Sequence, residues 1–584
     1  MVELRTVPEG LDRAAERAGA GFTFVADDGI EDEWSFARLA KRAREVAVAM
    51  VERGMSKGDR VALILPSAVD FIPAFLGVQQ GGGVPVPLYP PMGLGQLGGY
   101  LDHAQHIVGA SKSSHVITTG QIRAVIGKVR EAVPTVKGML TVADLEGDAS
   151  LFRDPGLDLE DPCFLQFTSG STARPKGVVI THGNLAHNCH AIMTHGLETD
   201  DEDRGLSWLP LFHDMGLIGF VLAPIHHRVP ITFLSPLMFL KKPATWLTYL
   251  SQHRGTITYG PNFAYAIATK RVRNEEIAGI DLSNVRIAGC GAEPIQAETL
   301  RAFVRRFGDY GFREEALVPS YGMAEHTLAI SFARGIPTDR VLAEDLWGDG
   351  NAVPVGEQQD DVEVLEIVGC GRAFPGHRIR IVDNETRVSL ADRQVGEIEL
   401  DGPSVTAGYF EDGAATEASR STDGWLRTGD LGYLVDGQVF ICGRAKDVII
   451  INGKNYYPQD LEWAAAEVEG IRPGNVLAFP TRQEGLDREA VVVVAETRDA
   501  HNSAPLAAAV KKKIYDLLGL MVDEVVVAEV GTILKTSSGK LQRGKTRAAY
   551  ETGSLGPRRG EGAVKVAGRL VQSQLAHLKL SIFK

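Results

Sequence analysis

The sequence predicts an α/β protein. A large N-terminal unit of parallel-rich sheets with packed helices and a β-rich subdomain is joined to a smaller α+β C-terminal unit. Three observations carry this. Short apolar strand runs alternate with helix-period segments up to Val142, which is the pattern of a parallel sheet. From Gly371 onward, strand signals alternate with turns. After Asp447 a helix–strand–strand–helix–strand unit of about 110–140 residues follows, the size of a small domain.

In chain order, 37–54 places Leu39, Ala43, Val46, Ala47, Met50 and Val51 on one helical face, and Gly54 ends it. Asp59–Leu65 reads as a buried strand, 68–80 as a helix, and Val84–Leu88, Val116–Thr119 and Met139–Val142 as further strands. Phe164–Phe167 and Val178–Ile180 read as strands around Thr168-Ser169-Gly170-Ser171-Thr172 and Pro175-Lys176-Gly177. Such a loop turns N–H groups and hydroxyls onto phosphate oxygens, with Lys176 as a point charge. A polar hairpin turn is the alternative. The Walker pattern is absent, because Pro175-Lys176-Gly177 stands where Gly-Lys-Ser/Thr is required.

His182–Glu198 reads as a helix, and a strand is expected to end at Pro210. Phe212-His213-Asp214 stands where a chain enters a site, although His213 taken alone also fits a structural histidine. Strand Val285–Ala288 runs toward Gly291-Ala292-Glu293, and strand Ala316–Val318 toward Tyr321-Gly322-Met323-Ala324-Glu325. In parallel sheets, ligands bind at these carboxyl ends. The acidic, Gly/Pro-rich segment from Gly335 to Leu365 fits either a disordered loop or an inserted hairpin. Thr428-Gly429-Asp430 sets an acid among glycines, and the joint between units falls at Arg444–Asp447. The second unit reads as helix 458–469, strands 475–479 and 490–495, helix 505–518 and strand 525–528, then Thr536–Lys540.

Hydrophobic content of 44% and charged content of 23% are those of a soluble globular chain. A net charge of −13 argues against non-specific nucleic-acid binding. Residues 501–584 hold 14 Lys and Arg against 6 Asp and Glu, so this end is +8 and the remainder −21. A basic end suggests contact with something anionic, and a solvated lysine-rich face is the alternative. Val221–Leu240, the most apolar long window, is broken by His226, His227, Arg228 and three prolines, so no transmembrane segment is expected. The charged N-terminus lacks a signal-peptide pattern, and none of the five cysteines forms C-x-x-C. A cytoplasmic location is expected.

The loop at 168–177, Tyr321–Glu325, Thr428–Asp430, Gly443–Lys446 and Thr536–Lys540 occur in the order and rough spacing of the adenylate-forming superfamily. That superfamily comprises acyl-CoA synthetases, adenylation domains and luciferases. VPVPLYPP (84–91), SWLPLFHDMGLIG (207–219), YGPNFAYAI (259–267), GAEPI (291–295), SYGMAEHTL (320–328) and NGKNYYPQDLE (452–462) resemble the fatty acyl-AMP ligases in particular. The resemblance implies an adenylating domain over 1–445, a family-specific insertion at about 335–367, and a mobile domain over 446–584 with a helical tail at Ala567–Phe583. The tail is expected either to dock on its own domain or to meet a carrier or a membrane surface.

The same resemblance implies a reaction: ATP and a fatty acid give an acyl-adenylate and pyrophosphate. The acyl group then passes to the phosphopantetheine thiol of an acyl carrier protein or a polyketide synthase carrier domain. By resemblance, Thr168, Ser169, Gly170, Ser171, Thr172, Lys176 and Gly177 hold phosphates, and Glu325 holds Mg2+. Gly291, Ala292, Glu293, Tyr321, Gly322 and Met323 line the adenine and ribose. Asp430 accepts ribose hydroxyls with Arg444 beside it, His213 and Lys540 flank the carboxylate and α-phosphate, and Lys446 is the hinge. The alternatives are free CoA as acceptor, or a catalytically silent adenylate-binding scaffold. The intact Lys176, Glu325, Asp430 and Lys540 argue against the scaffold.

Overall fold

The computed structural model describes residues 3–91, 97–168, 174–356, 363–451, 454–481, 489–499, 503–536 and 540–556. Ser169, Gly170, Ser171 and Thr172, Asn452-Gly453, Ser537–Gly539 and the expected tail helix lie outside these residues.

The first half forms as its apolar periodicity dictates. Strand Arg60–Ile64 runs parallel between Val84–Pro87 and His115–Thr118, and Gly138–Thr141 pairs next to His115–Thr118. Their side chains are almost all buried, as expected for strands covered on both faces. Helix Phe36–Glu52 is capped by Ser35, whose hydroxyl accepts the N–H of Arg38 at 3.1 Å.

A second, larger sheet holds the centre. Strands Gly21–Val25, Ile231–Phe233, Gly205–Ser207, Ile257–Gly260, Ile287–Cys290 and Leu317–Gly322 pair side by side, all parallel. Beyond Leu317–Gly322 the sheet turns antiparallel through Ala329–Phe332, Val364–Ala373, Gln438–Arg444, Leu426–Val435, Gly396–Asp401 and Arg378–Val382. The expected parallel-rich layer and β-rich subdomain are therefore one continuous sheet. Strand Gly205–Ser207 ends earlier than the expected Pro210, because Trp208 leaves the ladder to stack on Phe239 at 3.9 Å.

The segment after Gly335 settles as an inserted hairpin, with strand Thr338–Leu342 antiparallel to Val364–Ala373. Helix Ala343–Trp347 follows its first strand. Val341, Leu346 and Trp347 are buried in one cluster with Tyr456, Tyr457 and Leu461 of the C-terminal unit, and Trp347 packs 4.9 Å from Tyr456. Arg301 holds the hairpin to the large unit through two hydrogen bonds to Glu366, at 2.8 and 2.7 Å. The insertion thus wedges the two units together.

The C-terminal unit follows a single turn, Ala445–Asp447. Strands Ile471–Thr481, Ala490–Thr497 and Glu524–Glu529 form its sheet, packed by helices Pro458–Ala466 and Ser503–Leu518. All five cysteines are buried and unpaired. Among the described residues no helix is long and apolar enough to cross a membrane.

Candidate active site

A cleft of about 1040 Å³ opens between the two units and collects nearly every described residue singled out in the sequence. Its floor is the carboxyl end of the parallel strands. Ile287–Cys290 delivers Gly291-Ala292-Glu293, and Leu317–Gly322 delivers Tyr321 and then Met323 and Glu325. The Glu293 carboxylate accepts the Phe263 N–H at 2.7 Å, capping helix Asn262–Arg271 where Pro261 has no side-chain cap. Burial raises the pKa of Glu293. Its carboxylate is therefore committed to a helix end as well as lining the cleft.

One wall is built by strand pairing. Asp430 on Leu426–Val435 lies opposite Arg444 on Gln438–Arg444. The Arg444 Nε donates to Asp430 Oδ1 at 2.8 Å, and the Tyr321 hydroxyl donates to Oδ2 at 2.9 Å. Gly429 sits at φ +70°, a left-handed turn that side chains disfavour, and this turn aims Asp430 inward. The Asp430 N–H donates to Thr428 Oγ1 at 3.0 Å, and that hydroxyl donates to the Ile398 carbonyl at 2.7 Å. The carboxylate is thus held from two sides and its backbone from a third. Its proximity raises the pKa of Arg444, and burial followed by Asp430 raises that of Tyr321.

At the opposite end, strands Pro162–Phe167 and Gly177–Thr181 pair as the hairpin expected around 168–177. The Thr168 N–H donates to the Lys176 carbonyl at 3.0 Å. The Lys176 ammonium sits 5.2 Å over the Tyr409 ring, and the Tyr409 hydroxyl donates to Glu325 Oε1 at 2.8 Å. Thr406 pins the Glu325 backbone, donating to its carbonyl from N–H and hydroxyl at 3.0 Å each.

Lys540 reaches the cleft from the C-terminal unit. Its loop is closed by the Thr536 N–H donating to the Lys540 carbonyl at 2.7 Å. Its charge acts on His213, Asp214 and Glu293 of the large unit. Burial, then Lys540, pulls His213 down to about 3, so its imidazole is neutral at pH 7. Burial raises the pKa of Asp214. His213 Nε2 and Gln166 Oε1 are buried without partners among the described residues, while Gln166 Nε2 donates to the Phe212 carbonyl at 3.1 Å. Buried polar atoms left open in this way mark where a ligand supplies the missing bonds.

The cleft also has an apolar branch. The expected helix 182–198 is α-helical only over His182–His190 and continues as a π-helical turn, Ala191–Gly196. A second π-helical turn, Ile218–Leu222, follows Asp214–Leu217. Such turns recur at functional sites. Here Ile192, Gly219 and Phe220 line the branch with Tyr259, Leu328 and Phe332.

The structure brings Lys176, His213, Glu325, Asp430, Arg444, Lys446 and Lys540 around one space. Sequence reasoning did not single out Gln166, Tyr409 or the part that Ile192 takes in the apolar branch, whereas Asp214 and the segments 207–219 and 259–267, which supply Gly219 and Tyr259 to that branch, were already marked. The Gly408-Tyr409 pair beside the hairpin was a usable signal for Tyr409. Several of the basic C-terminal residues are engaged within their own unit, Lys512 remaining largely exposed beside its partner. Arg543 is tied to Asp447, at 3.0 Å, and to Glu462, while Lys512, Lys513 and Arg547 pair with Asp516, Glu467 and Glu551. Lys511 and Lys535 donate to backbone carbonyls.

The AMP-binding enzyme family matches residues 11–410, and a Disco-interacting protein 2-like AMP domain matches 446–558. A putative acyl-CoA synthetase of Caulobacter vibrioides is 36% identical over 94% of this chain and 96% of its own length. The long-chain-fatty-acid–AMP ligase FadD32 of Mycolicibacterium smegmatis is 36% identical over 90% of each chain. The medium-chain-fatty-acid–[acyl-carrier-protein] ligase JamA of Moorena producens is 32% identical over 92% of each. Among solved structures, a chain from a study of fatty acyl-adenylate ligases of E. coli and L. pneumophila superposes with a TM-score of 0.87. It is 34% identical, over 94% of this chain and 98% of that one. A fatty acyl-adenylate ligase of L. pneumophila in complex with acyl adenylate and pyrophosphate gives a TM-score of 0.71 at 30% identity, over 94% and 96%.

Proposed function

We propose that this chain, which belongs to the AMP-binding enzyme family, joins a fatty acid to AMP using ATP and hands the acyl group to the phosphopantetheine thiol of an acyl carrier protein. The observation that carries this reading is the shape of the cleft. One cleft joins an apolar branch to a fixed carboxylate, Asp430, and to the cations Lys176 and Lys540.

A fatty carboxylate lacks a leaving group. Its oxygen attacks the α-phosphorus of ATP, the bond to the bridging oxygen breaks, and pyrophosphate leaves. Several negative charges converge, so preorganised positive charge supplies most of the acceleration. Lys540 is assigned to the α-phosphate and the incoming carboxylate. Lys176 is assigned to the departing phosphates, together with the 168–173 loop, whose residues beyond Thr168 lie outside the described structure. Neutral His213 offers a hydrogen bond rather than a charge. Asp430 accepts the ribose hydroxyls, for which an ionised acid keeps lone pairs beyond those taken by Arg444 and Tyr321.

Glu325 fits magnesium. It is a hard carboxylate with one oxygen bonded to Tyr409 and the other uncommitted among the described residues, and magnesium takes its remaining ligands from phosphate and water. When bound, magnesium neutralises charge on the phosphates.

The domains run 1–445 and 446–584 in this reading, with the hinge at Lys446. This residue is exposed in the turn Ala445–Asp447, and desolvation of its ammonium lowers its pKa. The location is cytoplasmic. The acyl chain occupies the branch beside Gly219, where an added Cβ would meet only Leu328, at 3.8 Å. Gly219→Trp is therefore expected to lower kcat/KM for long-chain acids about 10- to 100-fold while short acids survive. Pyrophosphate release across a ladder of acids checks this, and an unchanged profile would remove Gly219 from the acyl path.

Free CoA is the rival acceptor, because one relative is named a putative acyl-CoA synthetase. The purified chain, given ATP, magnesium and a fatty acid, is offered CoA and a holo-carrier protein in parallel. Thioester on the carrier is expected. Efficient acyl-CoA formation with an idle carrier would overturn the assignment of acceptor.

A further inference from the structure

We propose that a second, polar cavity in the large domain binds a small anion of the phosphate class. The cavity encloses about 300 Å³ between the N-terminal segment, helix His182–His190 and helix Ala223–His227. It is lined by Arg5, Arg13, Arg228, His190, His226 and His227, with Glu3 the one carboxylate. It shares no lining residue with the catalytic cleft.

Three features point to an absent anion. First, the charge is unbalanced. Glu3 is engaged by Arg5, whereas the Arg13 and Arg228 guanidiniums have no ion pair or hydrogen bond among the described residues. Second, His226 Nε2 is buried without a partner, its ring packed beneath Gly10, where an added Cβ would stand 3.2 Å away. Third, the arginines act on the histidines. Burial and then the neighbouring histidines come first, and Arg13 adds to them in holding His226 near 3 and His227 near 4.

The fold gains nothing from two unpaired guanidiniums around an orphaned imidazole nitrogen. A compact anion rich in acceptors satisfies all three groups. Planar guanidiniums match phosphate oxygens with paired hydrogen bonds. With only Leu4 and Ala186 as apolar lining, the cavity has no place for an acyl chain. Its size suits inorganic phosphate or pyrophosphate, and the second of these is also the product of the catalytic cleft.

The test is calorimetric titration of the full-length protein, its catalytic cleft, pyrophosphate subsite included, saturated with a non-hydrolysable ATP analogue. Inorganic phosphate and pyrophosphate are the two probes. R13Q and R228Q are each expected to weaken a one-to-one site about 10-fold or more, the loss of a charge-assisted hydrogen bond. Arg13→Lys is expected to keep part of the affinity. Melting temperature without anion should be unchanged in R13Q, because Arg13 has no protein partner to lose. A stronger response to phosphate assigns the free ion, and a stronger response to pyrophosphate assigns the reaction product. Either supports the site. Isotherms identical in wild type, R13Q and R228Q, or no binding at millimolar anion, would overturn it.

Discussion

Lys540→Ala is expected to lower the rate of acyl-adenylate formation by about 100- to 1,000-fold, with ATP binding retained. The reason is positional. From the C-terminal unit, Lys540 acts on His213, Asp214 and Glu293 across the cleft, whereas Lys535 reaches only Glu293 of these three. His213 is held neutral, and Arg444 is spent on Asp430. Lys176 stands over Tyr409, at the other end of the phosphates in this assignment. The alanine variant therefore leaves the carboxylate and the α-phosphate to repel each other, while the contacts to ribose and terminal phosphates survive. Pyrophosphate release measured beside equilibrium ATP binding separates these effects. An unchanged rate would show that Lys540 is not the bridging charge.

The second large effect is expected at Asp430. Asp430→Asn keeps the side-chain volume but loses the charge that faces Arg444, and it turns an NH2 group toward one of two donors, Arg444 or Tyr321. Hydrogen bonds to charged groups contribute about 1.5–3 kcal/mol each. Losing those to the ribose hydroxyls raises KM for ATP about 100-fold. The change in kcat should be smaller, because the carboxylate touches the ribose and not the reacting phosphorus. Steady-state kinetics with ATP as the varied substrate checks this. A KM equal to wild type would place the ribose elsewhere.

Both residues stood out in the sequence, Asp430 as an acid among glycines and Lys540 through the family resemblance, and both line the cleft. Phosphate and ribose recognition uses glycines, hydroxyls and isolated charges at strand ends, and these stand out against apolar runs. The parallel strands were legible because burial on both faces leaves unbroken runs such as Val61–Leu65. The apolar branch was legible only in part: segments 207–219 and 259–267 stood out, but the contribution of Ile192 did not. An α-helix and a π-helical turn share nearly the same apolar spacing, so nothing in His182–Glu198 announced the widening at Ala191–Gly196. Tyr409 reads as one more core aromatic until Glu325 and Lys176 are seen against it. The pairing of Arg543 was not legible, because a charge does not disclose its partner in sequence. Asp447 and Glu462 lie 96 and 81 residues away.

That same arginine has a consequence for timing. Arg543 follows Lys540 by three residues and is clamped to Asp447, the residue next to the hinge. With the proposed pivot at Lys446 and the proposed reactive lysine at 540, the two form one stiff lever. On that proposal, any turn large enough to admit a carrier's thiol arm also draws Lys540 out of the cleft. The two half-reactions then cannot overlap, and the protein acts as a turnstile that passes one acyl group per turn and activates a second acid only once the lever swings back.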